Sequence, residues 1–224
     1  MAWTDKLIDY KNPHSIGSIL RQRRIAPLLE LVKQCYRERG GCRILDIGGT
    51  ETYWRIIDSD FLNAHNCRIT LVNTHRVAQS GHPRFTHVIG NGCQLDFSDY
   101  AFDIAHSNSV IEHVGNWQNK AAFAAEIRRI APCYFVQTPN FWFPVEPHYL
   151  APCIHYLPLH IRAILLFRLP LGRMNRPRTM AESLQTVQGI SLLTEPMMRT
   201  LFPDADILAE RICGMKKSLV AIRR

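Results

Sequence analysis

An apolar run that stops at an acid and a glycine pair leaves a chain few folds to choose from, and residues 43–54, RILDIGGTETYW, are such a run. Ile44-Leu45 leads into Asp46, and Ile47 then precedes Gly48-Gly49. The pattern predicts a buried parallel strand that ends in a glycine turn and opens into a helix. The glycines let the backbone approach a ligand where a Cβ would collide with it. A helix beginning near Thr50 would point its free N–H groups into the same space. A carboxylate facing a pocket from a strand end is costly without a cationic or N–H partner. Asp46 therefore favours a ligand carrying an ammonium or sulfonium over one carrying a phosphate. An ordinary strand-turn-helix with a capping Asp would give the same letters.

The length of 224 residues suits one well-buried α/β domain with at most a small appendage. Apolar content of 46% and charged content of 21% place it among soluble globular chains. The seven cysteines (35, 42, 67, 93, 133, 153, 213) are odd in number, scattered and without a CxxC pair. They predict reduced thiols in a cytosolic protein, not a disulfide frame or a structural zinc site. Asp5 and Asp9 interrupt an N-terminus with no long apolar core, so no signal peptide is expected. No stretch has the apolar length of a bilayer span. A net charge of +8 favours anionic partners: nucleic acid, an anionic membrane surface or an acidic substrate.

Apolar positions 25, 28, 29 and 32 follow the basic segment Arg21-Gln22-Arg23-Arg24 at helical spacing, and Gly40-Gly41 ends them. A cap helix over the sheet, partly covering the ligand, is expected, with the arginines a solvated face. Arg68–Val72 reads as a strand ending at Asn73, and Phe85–Ile89 as one ending in Gly90-Asn91-Gly92. Ile104–His106 leads into Ser107–Val114, and Cys133–Gln137 into Thr138-Pro139-Asn140. Ala121–Ile130 reads as a helix, Thr194 caps another, and Asp206–Ala209 with Ser218–Ile222 read as a closing pair of strands. Strands alternate with helices, so the fold class is α/β: a doubly wound, mostly parallel, seven-stranded Rossmann-like sheet with helices on both faces. A single domain is expected over 1–224, with 1–40 as a cap region and 141–190 as an acceptor-side lid. Each polar cluster falls at the carboxyl end of a strand, where such sheets bind ligands.

Taken together these residues resemble a class I S-adenosylmethionine-dependent methyltransferase. Ile44–Gly48 is similar to that family's first motif, Gly90-Asn91-Gly92 stands where it has Gly-Asp-Ala, and Phe102–Val114 is similar to its fourth strand and loop. Gly48-Gly49-Thr50 with Tyr53-Trp54, Thr138-Pro139-Asn140 and Pro144–His148 resemble a bacterial branch of small-molecule methyltransferases of the type 11 kind. The resemblance implies S-adenosyl-L-methionine as cofactor. Asp46 and Gly48 would meet its methionine portion, within the loop of Gly49 and Thr50. Asn73 would meet the ribose, Asn91 with Gly92 the adenine, and Ser107 and Asn108 would line the floor beneath the sulfonium. Three departures point to weaker cofactor binding. Thr50 and Thr52 replace later glycines of the loop, while Asn73 and Asn91 replace acids, leaving amide oxygens that accept without charge. The absent GxGxxG spacing counts against a nicotinamide dinucleotide.

Methyl transfer from a sulfonium is an in-line displacement that depends on positioning the acceptor and taking up its proton. His113 beside Glu112 and His148 beside Glu146 compete as the base, since imidazole titrates near neutral pH and a carboxylate fixes its tautomer. His113 could instead tie down the loop after the fourth strand. Ubiquinone-pathway O-methyltransferases carry Glu-x-x-Glu-His at this loop, but Ser109 stands in place of the first Glu, and no metal is predicted. From Phe141 to Ala181 the chain is rich in apolar residues, and between Glu146 and Glu182 it has no acid but five arginines, 162, 168, 173, 176 and 178. This is the pattern of a lid over an apolar acceptor pocket, or of a surface helix contacting membrane through 152–172. The expected function is O- or N-methylation of a small, apolar or lipid-linked acceptor, in the cytoplasm or peripherally at the inner membrane surface. An RNA methyltransferase rests on charge alone, and nucleic acid is not the expected partner. A non-catalytic S-adenosylmethionine-binding protein is the third reading.

Overall fold

A computed structural model of the chain describes residues 16–169, 171 and 176–224, with side chains from 22 onward. Asp5, Asp9, the Arg21 side chain, Arg173 and the end of the 152–172 segment lie outside the described residues. Helix α1 (Ile16–Arg39) precedes strand β1 (Cys42–Ile47), followed by α2 (Glu51–Trp54), α3 (Ser59–Ala64), β2 (Cys67–Asn73) and β3 (Phe85–Ile89). Next come β4 (Ile104–Asn108), a 3-10 turn (Ile111–His113), α4 (Trp117–Ile130) and β5 (Cys133–Pro139). The short strands β6 (Val145–Glu146) and β7 (Ala151–Pro152) lead to α5 (Leu159–Arg168), α6 (Met180–Gln188) and α7 (Glu195–Leu201). Strands β8 (Asp206–Ile212) and β9 (Met215–Arg223) close the chain. Seven strands form one sheet in the order β3-β2-β1-β4-β5-β9-β8. The sheet is mostly parallel, as the alternation of elements predicts, and β8–β9 is its antiparallel edge. Among the described residues no helix is long and apolar enough to cross a membrane.

The chain divides into two compact units, one of residues up to 106 with 127–135 and 223–224, the other of 107–126 and 136–222. In the first, Ile44, Leu45, Ile69 and Leu71 are fully buried on β1 and β2. Helix α1 packs on β1 through Ile25, Leu28, Leu31, Val32 and Cys35. It starts nine residues before Ile25 and runs through Pro27. An interior proline costs a helix roughly 3 kcal/mol, and the buried face on both sides of it offsets that. The single helix expected after the glycines is two short ones, because Asp58 accepts from the Asp60 N–H at 3.0 Å and starts α3 afresh.

In the second unit α5 and α6 pack closely, with the Ser183 hydroxyl donating to the Ala163 carbonyl at 2.6 Å. Around them Tyr149, Ala151, Ile154, Leu166, Val187, Ile190 and Leu192 form a core of their own. The expected 141–190 lid falls within this unit. Helix α4 begins four residues earlier than its apolar face suggests, since Asn116 Oδ1 caps it by accepting from the Asn119 N–H at 2.9 Å. The closing hairpin is longer than its apolar stretches. Arg211 pairs with Lys216 next to the two-residue turn Cys213-Gly214, whose φ angles of 48° and 80° suit such a hairpin.

Candidate functional site

At the end of β1 the Asp46 carboxylate is fully buried. Trp54 Nε1 donates to its Oδ2 at 2.7 Å, and His106 Nδ1 donates to its Oδ1 at 2.7 Å. His106, itself fully buried, stacks on Phe135 and has its Nε2 3.2 Å from the Tyr53 hydroxyl. Asp46 thus has the N–H partners its burial demands, and both come from the protein. Gly49 lies directly on this carboxylate: a Cβ there would stand 1.7 Å from Asp46 Oδ2. Gly48 has a φ of +75° and donates to the Val72 carbonyl at 2.7 Å. Gly49 is therefore required by the acid beneath it, and Gly48 by its left-handed backbone. Thr50 is exposed and precedes a helix of only four residues.

Asn73 Nδ2 donates to the Gly49 carbonyl at 2.9 Å, which leaves its Oδ1 to accept from a ligand hydroxyl. Gly90 N–H donates to the Asn73 carbonyl at 2.9 Å and draws the ends of β2 and β3 together. Asn91 is exposed, its Oδ1 accepting from the Cys93 N–H at 3.0 Å, and Gly92 is half-buried. Ile89 is 61% exposed at the end of β3, beside a cavity of about 350 Å³ that also borders Asn73, His75, Arg76 and Val77. Glu51 fixes this edge. Its Oε1 accepts from the Ser80 N–H at 2.9 Å and lies 2.8 Å from His87 Nε2. Burial pushes the Glu51 carboxyl up, but these bonds outweigh it and hold it below the usual range. An exposed apolar face, an open amide oxygen and a Cβ-free turn fit the adenosine and methionine parts of S-adenosylmethionine.

The second unit holds the predicted acid–base residues, and it brings them together. Glu112, in the 3-10 turn, is fully buried. Its Oε2 accepts from the Thr138 hydroxyl at 3.0 Å, while its buried Oε1 has no partner among the described residues. Burial pushes its carboxyl up to about 7. The Ser191 N–H donates to the Glu112 carbonyl at 2.9 Å and locks the turn to the end of the lid. His113 Nδ1 faces the Gly189 carbonyl at 3.3 Å, and its Nε2 lies 3.0 Å from His148 Nε2. His148 Nδ1 is 2.5 Å from Glu146 Oε1, and Glu146 Oε2 accepts from the Tyr149 N–H at 2.7 Å. Burial lowers His148, but the bond to Glu146 and the charges of Glu146 and Glu112 outweigh it and raise its pKa. Burial, then the charge of His148, lowers His113. A proton taken up by the pair accordingly goes to His148. The two histidines, weighed from sequence as rivals, are neighbours. Ser107 is fully buried and Asn108 half-buried at the end of β4.

Beside this group lies a cavity of about 310 Å³ within the second unit. Phe141, Leu159, Val187, Ile190 and Leu192 give it apolar walls, and Glu146, Tyr149, His155 and Arg162 also border it. Sequence reasoning missed His106 and the Trp54 indole as partners of Asp46. The signal was a histidine in an otherwise apolar strand. It also missed Tyr149, whose spacing three residues after Glu146 is what lets its N–H hold that carboxylate.

Residues 45–131 match the family model described as a methyltransferase domain. No curated protein matches the chain by sequence. Among solved structures, 1,6-didemethyltoxoflavin-N1-methyltransferase of Burkholderia thailandensis, with bound 1,6-didemethyltoxoflavin and S-adenosylhomocysteine, superposes with a TM-score of 0.51 at 15% identity. That alignment covers 94% of this chain and 89% of that one. The PH0226 protein of Pyrococcus horikoshii OT3 gives a TM-score of 0.51 at 13% identity, over 99% of this chain and 98% of that one. At such identities these likenesses are of fold.

Proposed function

We propose that the chain is an S-adenosylmethionine-dependent methyltransferase, a reading supported by the methyltransferase-domain match over residues 45–131, and that its acceptor is a small, largely apolar molecule methylated on oxygen or nitrogen. The observation that carries this reading is the 310 Å³ cavity of the second unit, which joins apolar walls to polar residues, Gln188 and Ser191 among them, and is bordered by the carboxylate that holds His148. Such a volume suits a small organic molecule, with a few polar groups to orient it. S-adenosylmethionine, when bound, supplies the electrophilic methyl group. Gly48, Gly49 and Thr50 would leave room for its methionine part, Asn73 would accept from the ribose, Asn91 with Gly92 and Ile89 would meet the adenine, and Ser107 and Asn108 would lie below the sulfonium. Asp46 acts beneath the turn, shaping it. His148, oriented by Glu146 and facing His113, takes up the acceptor proton, so these three are the acid–base group. The test is transfer of radiolabelled methyl from S-adenosylmethionine across a panel of phenols, hydroxy acids and amines. Turnover that falls at least about tenfold in His148→Ala supports the reading; turnover unaffected by that change refutes the base, and labelling of RNA alone refutes the acceptor.

The lid also presents an outer face. Leu157, Ile161 and Ile164 are exposed at helical spacing on and before α5, with Trp142, Tyr156 and Leu169 exposed as well. Arg168 and Arg176 are exposed in the same stretch, and the Arg176 Nε–H donates to the Phe167 carbonyl at 2.9 Å. An apolar stripe edged by cations supports peripheral contact with an anionic membrane, and with it a lipid-linked acceptor. Co-sedimentation with phosphatidylglycerol vesicles that is lost in Ile161→Asp/Ile164→Asp supports this contact. Equal sedimentation of the variant, or none by either protein, removes it.

A further inference from the structure

The acid–base group has more acceptors than protons. His113 Nδ1–H is spent on the Gly189 carbonyl, and His148 Nδ1–H on Glu146 Oε1. Both Nε2 atoms therefore turn lone pairs toward each other, 3.0 Å apart. Glu112 lies with them: one ligand atom from each of Glu112, His113 and His148 falls within 4.8 Å of the other two. Glu112 is fully buried, and among the described residues its Oε1 has no hydrogen-bond partner, a costly state for a charged group. One proton between the imidazoles satisfies both nitrogens and still leaves the Glu112 oxygen unmet.

We propose that Glu112, His113 and His148 bind a divalent first-row transition cation. Two ligands side by side on bonds of about 2.1 Å lie about 3.0 Å apart, which is the spacing the two imidazoles already have. Two imidazoles with one carboxylate favour zinc, cobalt, iron or manganese over magnesium or calcium, which prefer oxygen. Glu146 behind His148, and the Gly189 carbonyl behind His113, are the outer partners that orient ligating imidazoles. Three protein ligands leave positions open, and an oxygen of the acceptor can take one of them; the His148 Nε2 lone pair is then on the cation, so this inference, which rests on the proposed acceptor site, replaces the imidazole base by a cation that binds and orients the acceptor oxygen. Metal binding is read without turnover, so the two claims fail separately.

The full chain, freed of metal by chelator and without an affinity tag, is titrated with cobalt(II) and followed by calorimetry and visible absorption. The expected result is one equivalent bound with a visible ligand-field band and no competition from excess magnesium. Glu112→Gln and His148→Ala should each weaken binding more than about tenfold. His113→Gln, at a surface-exposed position, gives the same readout should either of the others fail to fold. No binding to the wild-type chain overturns the proposal. So does stoichiometric binding that the three variants leave unchanged, since it would then lie on other histidines.

Discussion

Two buried carboxylates, Asp46 in the first unit and Glu112 in the second, have been given opposite surroundings. Asp46 has a donor on each oxygen, Trp54 Nε1 and His106 Nδ1, both at 2.7 Å. Glu112 has a donor on one oxygen only, the Thr138 hydroxyl at 3.0 Å, and its carboxyl is pushed up to about 7. The first is closed and holds a backbone turn in shape. The second is left wanting a proton or a cation, and it lies with two histidines whose lone pairs are free to converge. Burial alone does not mark a functional acid; an unmet oxygen does.

The largest effect that could break this contrast is on stability. Asp46→Ala leaves a buried indole N–H and a buried imidazole without their acceptor, and should lower the unfolding free energy by about 3–5 kcal/mol in urea titrations. Glu112→Gln removes a poorly solvated charge and should be neutral or stabilising at pH 8. Equal losses in the two variants would erase the distinction.

A smaller effect sharpens it through pH. The folded state holds a proton on Glu112 up to about 7, whereas the unfolded chain releases it near about 4.3. Between those values the native state binds more protons, so stability falls as pH rises, by up to about 4 kcal/mol at about 1.4 kcal/mol per pKa unit. Thermal melts from pH 4 to 8 should show this slope in the wild type and lose it in Glu112→Gln. A slope that survives the substitution belongs to another group.

The smallest effect lies at the far end of the sheet. Asp103 accepts from the Arg43 N–H at 2.8 Å and from the Arg43 and Arg39 guanidinium groups at 3.0 Å each. Burial pushes this carboxyl up, but these bonds and charges outweigh it and hold it below the usual range. Its contribution is present above about pH 3.9 and is lost as the pH falls through the lower folded value. Arg39 is half-exposed and Arg43 remains, so Arg39→Ala should cost no more than about 1 kcal/mol. A loss as large as that of Asp46→Ala would mean that charge pairing alone, without sealing, sets the cost.

What was readable in the sequence tracks what is local in it. Strand β1, its glycine turn and the alternation of strands and helices follow from apolar periods and punctuation, and they set the fold. Asp46 could be recognised as needing a partner, yet His106 stands 60 residues away and meets it only once β4 takes its place in the sheet. His113 and His148 were each visible beside a carboxylate, but their meeting spans 35 residues and depends on the β6–β7 turn. The break between α2 and α3 rests on a cap at Asp58 that composition does not distinguish from any exposed acid. The hairpin ends, rich in Glu210, Arg211, Lys216 and Lys217, read as loop because charge hides the alternation of an edge strand.

The most direct test of the account is calorimetric titration of the chain with S-adenosylhomocysteine, beside Gly49→Val and His148→Ala. One equivalent should bind to the wild type and to His148→Ala alike. Gly49→Val, whose side chain would displace the turn lying on Asp46, should fold by circular dichroism yet bind at least about tenfold more weakly. Failure of the wild type to bind, or equal binding by Gly49→Val, would contradict the assignment of the glycine turn as the cofactor cradle.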